Sequence, residues 1–185
     1  MPNCQDIILF AEYNASMNRK LYDAAAILAP EEISADRGAY FGSILGTLNH
    51  LVAGDSIWLT RFAQHPARFV ALDQLRDIPA PASLTQSFGD TLSALRQQRV
   101  RLDITISALA REVRQPDLDY LLTYRNTRGT AFQRHFGSLL LHLFNHQTHH
   151  RGQATTLLTQ LGVDIGVTDL LMLVPDVGVA HAGRS

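Results

Sequence analysis

Cysteine is nearly missing from this chain, with Cys4 the only one. A single thiol excludes an intramolecular disulfide framework and a thiolate-rich zinc knuckle, and it makes a cytoplasmic setting the expectation. A surplus of positive charge is missing as well. Sixteen Lys and Arg stand against seventeen Asp and Glu, a formal net charge of −1. No net field therefore gathers nucleic acid or acidic lipid, and neither is expected as a partner. No apolar run approaches the roughly 18 residues that span a bilayer. The stretch Met1 to Phe10 lacks the basic, apolar and small-residue regions of a secretory signal. Several catalytic signatures are absent too: a Gly-rich phosphate loop, a G-x-S-x-G elbow, and the Glu-x-x-His pairs of a di-iron bundle. Gln147 stands where a zincin H-E-x-x-H motif requires its general-base glutamate.

What is present suits a globular protein. The chain has 185 residues, 46% hydrophobic and 18% charged, enough for a buried core, and residues 1–185 are expected to form one domain. Ile7, Ala11, Asn14, Asn18, Leu21, Ala25 and Leu28 recur at alternating spacings of four and three, which predicts one face of a helix closed by Pro30. Ser43 caps a second predicted helix whose face reads Ile44, Leu48, Leu51, Asp55, Trp58 and Phe62, and which stops before Pro66. After Pro79 and Pro81, Ser83 and Gln86 suggest a capping box for a third, with Leu84, Phe88, Leu92, Leu95, Leu102, Ile106 and Leu109 inward.

The stretch Asp119 to Thr130, with Tyr120, Leu122 and Tyr124 alternating, predicts a short hairpin or irregular excursion. The longest predicted helix follows, on a stripe of Phe132, Phe136, Leu139, Leu143, His146, His150, Leu157 and Leu161, with Gly162 as its stop. The fold class expected is all-α: a four-helix bundle with an irregular or hairpin excursion before the last long helix. Leu170 to Leu173 are apolar enough to pack back on the bundle, ahead of a Gly- and Ala-rich frayed end.

Five of the eight histidines, His135, His142, His146, His149 and His150, lie within sixteen residues. Residues four apart are neighbours on a helix, so His146 and His150 can aim two imidazole nitrogens at one point and chelate a transition metal. The competing reading is that each satisfies a buried carbonyl or carboxylate. A third ligand must come from elsewhere. His50 is the best candidate, because Gly46, Thr47, Ala53 and Gly54 keep its surroundings small. His149 projects about 100° from His150, and both it and His142 are expected beside the site or at the surface. Asn14, Asn18 and Asp55 fall on inward stripes, where they either orient ligands and line a pocket or bond other buried groups. Asp55 has two candidate partners, an arginine or a histidine's second nitrogen.

Tyr13-Asn14 and Asn18, Arg37-Gly38-Ala39-Tyr40-Phe41-Gly42-Ser43, Gly46-Thr47-Leu48-Asn49-His50-Leu51, and Asn145-His146-Gln147-Thr148-His149-His150-Arg151-Gly152-Gln153 resemble the DinB family, which is distinct from the DNA polymerase sharing that name. Asp169 and Leu170 are similar to its closing segment. The resemblance implies a four-helix bundle, often dimeric, with one divalent ion held by His50, His146 and His150. Exposed parts of Phe10, Met17 and Tyr22 are the expected dimer surface. The wider superfamily includes bacillithiol transferases and mycothiol-dependent isomerases. Three neutral imidazoles leave an ion with an open position, which suits zinc or nickel. The function expected is activation of a small thiol for transfer to a small electrophile, with a metal-dependent hydrolase or a non-catalytic, stress-related metal-binding protein as the alternatives.

Overall fold

The computed structural model describes residues 2–77, 81, 83 and 86–176. Among the described residues the protein is mostly helical, with one small antiparallel sheet. Helix α1 spans Cys4–Ala25 and opens on a reciprocal cap: Asn3 Oδ1 accepts from the Asp6 N–H at 2.9 Å, and Asp6 Oδ2 accepts from the Asn3 N–H at 3.0 Å. Pro30, expected to close this helix, instead begins the short α2, Pro30–Ser34, where a first-turn residue needs no N–H; Leu28 lies in the turn between the two. Helix α3 spans Ile44–Phe62, and the Ser43 side chain caps it as expected by accepting from the Gly46 N–H at 3.0 Å.

A 3-10 turn at Val70–Leu75 precedes α4, which spans Leu92–Glu112. Its cap is Thr91, accepting from the Ala94 N–H at 3.2 Å, so the helix starts later than the Ser83–Gln86 pattern suggested. Leu84 and Pro79 lie outside the described residues. After the single turn α5, Gln115–Leu118, strands β1 (Leu121–Arg125) and β2 (Ala131–His135) form the hairpin, with Tyr124 opposite Phe132. Phe132 therefore belongs to a strand, and α6 begins at Phe136 and runs to Thr159. The chain turns after it at Gly162, where φ is 75°.

Each long helix packs on two others: α1 and α3 both lie against α4 and α6. Apolar side chains form one cluster around Ile7, Phe62, Leu109, Phe136 and Leu143, and a second around Leu21, Leu48, Leu51, Leu95 and Leu158. Burial of each such large side chain contributes about 1.5–3 kcal/mol. Between these clusters in the order of every long helix lies a buried polar layer. It comprises Asn14 and Asn18 from α1, Asp55 from α3, Arg99 with half-buried Asp103 from α4, and Gln147 and Arg151 from α6.

Arg99 Nη1 donates to Asp55 Oδ2 at 2.6 Å, and Gln147 donates to the same oxygen. Arg99 Nη2 forms an ion pair with Asp103 Oδ1 at 3.0 Å. Asn18 donates to Asp103 at 2.9 Å, while Arg151 donates to Asn14. Burial alone would lower the Arg99 pKa, but the fields of Asp55 and Asp103 reverse this and raise it.

Two expectations about the periphery change. Leu171 and Met172 are 77% and 69% exposed rather than packed back. The segment after α6 is held instead by Tyr13 Oη donating to the Thr168 carbonyl at 2.6 Å and by Lys20 Nζ donating to that of Val167 at 2.7 Å. The Gly- and Ala-rich end from residue 177 lies outside the described residues. Met17 and Tyr22 are buried within α1's own packing, and Phe10 stacks on Phe144 at 5.7 Å, so these three do not form an exposed dimer surface. Among the described residues no helix is long and apolar enough to cross a membrane.

Candidate metal centre

Two adjacent helices bring the three predicted ligands together. His50 comes from α3 and His146 and His150 from successive turns of α6. His50 Nε2 lies 3.0 Å from His146 Nε2 and 3.1 Å from His150 Nε2, and the three residues form one group of candidate ligand atoms. First-row ions bind imidazole at about 2.0–2.1 Å, which sets neighbouring donors about 3 Å apart. The observed separations match such a shell.

Hydrogen bonding fits the same interpretation. His150 Nδ1 donates to Gln153 Oε1 at 2.7 Å, which leaves its Nε2 as a lone pair turned toward the other two rings. One proton on His50 Nε2 can be shared with only one neighbour at a time, whereas a cation satisfies all three nitrogens. His146 is drawn down to about 3, by burial first and then by the surrounding imidazoles, and is neutral as a ligand must be. Its Nδ1 is buried and has no hydrogen-bond partner among the described residues.

Close approach explains the small residues near His50. A Cβ on Gly54 would lie 2.8 Å from His146 Cε1, so α3 must carry glycine there for the His146 ring to sit between the helices. A Cβ on Gly46 would lie 2.1 Å from the Phe41 carbonyl oxygen, so glycine also lets the loop before α3 fold onto its first turn. That loop lays the Phe41 ring on His50, with centroids 3.9 Å apart and planes 18° from parallel, and presents its edge to His150 at 5.4 Å. His146 and His150 remain partly exposed, leaving the nitrogen cluster near solvent.

His142 and His149 lie outside the cluster, both exposed. The ring of His142 packs against Trp58, and this partial desolvation, followed by the charges of Arg61 and Arg134, lowers its pKa even though the residue keeps much of its exposure. The interior polar residues are likewise not placed on the three clustered histidines. Asp55 takes the arginine of its two candidate partners, and Asn14 and Asn18 both accept from Arg151.

The stripe on α6 also needs correction. Its buried polar positions are Gln147 and Arg151, while His146 and His150 sit one residue aside, on the edge facing α3. The pair is thus not a replacement of core leucines but a seam between two helices. Phe41 and Gln153 were not singled out as site residues from sequence. Gln153, three residues after His150, had a readable signal in its i,i+3 spacing.

No curated protein and no solved structure gives a significant match to the chain. The model of the DinB family, however, matches residues 1–175, and with the three histidines placed as described the chain belongs to the DinB family.

Proposed function

We propose that this protein is a four-helix-bundle metalloenzyme in which His50, His146 and His150 hold one divalent ion, zinc or nickel, for the transfer of a small thiol to an electrophile. The approach of His146 Nε2 and His150 Nε2 to within 3.0 and 3.1 Å of His50 Nε2 carries this reading. A divalent cation held by these histidines would favour the thiolate form of a small thiol at neutral pH. The donor set is neutral, so the cation's charge is retained, and three protein ligands leave room for an exogenous one.

The chain's own residues supply the preorganisation. Gln153 holds the His150 tautomer, Phe41 holds the His50 ring plane, and Gly54 admits His146. Partial exposure of His146 and His150 favours an enzyme over a sealed structural site. The lone Cys4 accords with a reducing, cytoplasmic setting. Homodimerisation belongs to the same reading, and exposed Val100 and Ile104 on α4 offer an apolar contact surface in place of α1. Light scattering that returns a monomer mass at micromolar concentration would remove it.

Purified protein should carry about one divalent ion per chain. His50→Ala and His150→Ala should each remove most of it by elemental analysis, and unchanged content in both refutes the site. A cobalt-substituted sample should develop sulfur-to-metal charge transfer on adding glutathione or bacillithiol, a response that His146→Ala should lose. Thiol transfer that survives complete metal removal would defeat the catalytic reading.

A further inference from the structure

The seam between α3 and α6 continues past the metal-site histidines. Along α3, His50, Gly54 and Trp58 follow at intervals of four; along α6, His150, His146 and His142 do so in the opposite sense. Residues four apart share a helix face, so Trp58 meets His142 one turn beyond the nitrogen cluster. Their ring centroids are 4.9 Å apart, and the His142 ring is 5.9 Å from that of His146. The β1–β2 hairpin closes the far side, with Tyr124 edge-on to Trp58 at 5.2 Å. A cavity of about 300 Å³ lies here, lined by Trp58, Tyr124, Arg134, Ser138, Leu139 and His142.

The fixed charges at this cavity are of one sign. Arg134 lines it, and the Arg61 guanidinium stands 4.6 Å from the Trp58 ring centre and 5.1 Å from that of Tyr124, against both aromatic walls. Among the described residues no Asp or Glu lines the cavity, and neither arginine has a carboxylate within ion-pair distance. The other arginine next to the seam, Arg151, donates into the polar layer instead. Uncompensated guanidinium groups beside an aromatic wall suit a ligand that is anionic at one end and apolar in its body.

We propose that this cavity is a carboxylate subsite. It receives the acid group of the small molecule that reaches the three histidines, Arg134 and His142 donating to the carboxylate while Trp58 and Tyr124 pack on the adjoining aryl or alkyl carbons. A planar guanidinium matches a planar carboxylate, and the cavity's size suits one such group rather than a large headgroup. The inference rests on the metal-site reading for what happens at the ligand's other end, while the subsite itself is built from residues outside the cluster.

Trp58 is the chain's only tryptophan, so its emission reports on this cavity directly. Titration of the full chain with phenylacetate at constant ionic strength should change that emission saturably, with matching heat in calorimetry. Phenylacetamide, of similar shape without the charge, should bind about tenfold more weakly. Arg134→Gln should weaken phenylacetate about tenfold and leave phenylacetamide unmoved, and Arg134→Lys should restore part of the loss. His50→Ala should keep the phenylacetate response. A wild-type chain that carries no ion yet follows this pattern sinks the metal reading and keeps the subsite. Equal binding of acid and amide, no saturable binding, or an Arg134→Gln variant that binds like wild type overturns the subsite.

Discussion

Replacing Gly54 by alanine separates the proposed metal site from the fold that carries it. The new methyl would stand 2.8 Å from His146 Cε1, and ordinary contact begins at 3.4 Å, so the ring must retreat by about 0.6 Å. Ligand positions in metal sites tolerate only about 0.2 Å. His146 cannot recover by a slide of its helix, because the adjacent Gln147 is fixed to Asp55 in the buried layer. Displacement of one of three ligands should therefore weaken metal binding by about 10–100-fold, the range seen when the groups that orient a ligand are removed. The backbone effect has the opposite sign: glycine within a helix costs about 0.5–1 kcal/mol relative to alanine, which offsets part of the steric strain. Gly54→Ala should lose affinity in a competition titration against a chromophoric chelator. Its metal-stripped form should at the same time unfold in urea within about 1 kcal/mol of metal-stripped wild type. Unchanged metal affinity refutes the reasoning, as does an affinity loss accompanied by equal collapse of the stripped protein.

Two further predictions concern the interior. Arg99→Met leaves the fully buried Asp55 with Gln147 as its one donor among the described residues, and should cost about 3–5 kcal/mol in urea unfolding. Adding Asp55→Asn removes the stranded charge and should recover part of that loss, whereas a double variant no better than the single one would refute the charge argument. His65, 3% exposed against Phe69, Tyr120 and Phe136, accepts from the Ala67 N–H at 3.1 Å, and burial lowers its pKa below 6.5. The unfolded chain then binds the proton more readily. Its contribution is complete above about pH 6.5 and is lost as pH falls toward the folded-state value. In metal-stripped protein His65→Phe should flatten the decline of the urea midpoint between about pH 7.5 and about pH 5.5, and an unchanged slope counts against it.

Much of this protein was legible in its sequence because helices write their faces locally. The inward stripes of α1 and α3, the Ser43 cap and the hairpin after Tyr120 follow from spacing and side-chain chemistry within a few residues. His146 and His150 were paired by the same rule, since four residues of one helix are enough to bring them to one side. The start of α4 was misjudged because Ser83–Gln86 and Thr91 each satisfy the local rule for a cap.

Tertiary structure decided everything that required a second chain segment. Which side of α6 faces α3 placed the histidines on the seam and Gln147 and Arg151 in the interior, a rotation of one residue that periodicity does not resolve. Arg99 had left a gap in the α4 stripe between Leu95 and Leu102, but only packing supplied Asp55 and Asp103, partners without which a buried guanidinium is prohibitive. The approach of His50 to His146, the Phe41 ring against His50, and the Trp58–His142 cavity join residues distant in sequence, and such contacts exist only once the helices have docked. A single sequence thus determined the helical faces and the pairing of His146 with His150, while helix docking determined the polar layer, the orientation of the histidine cluster and what lies beside it.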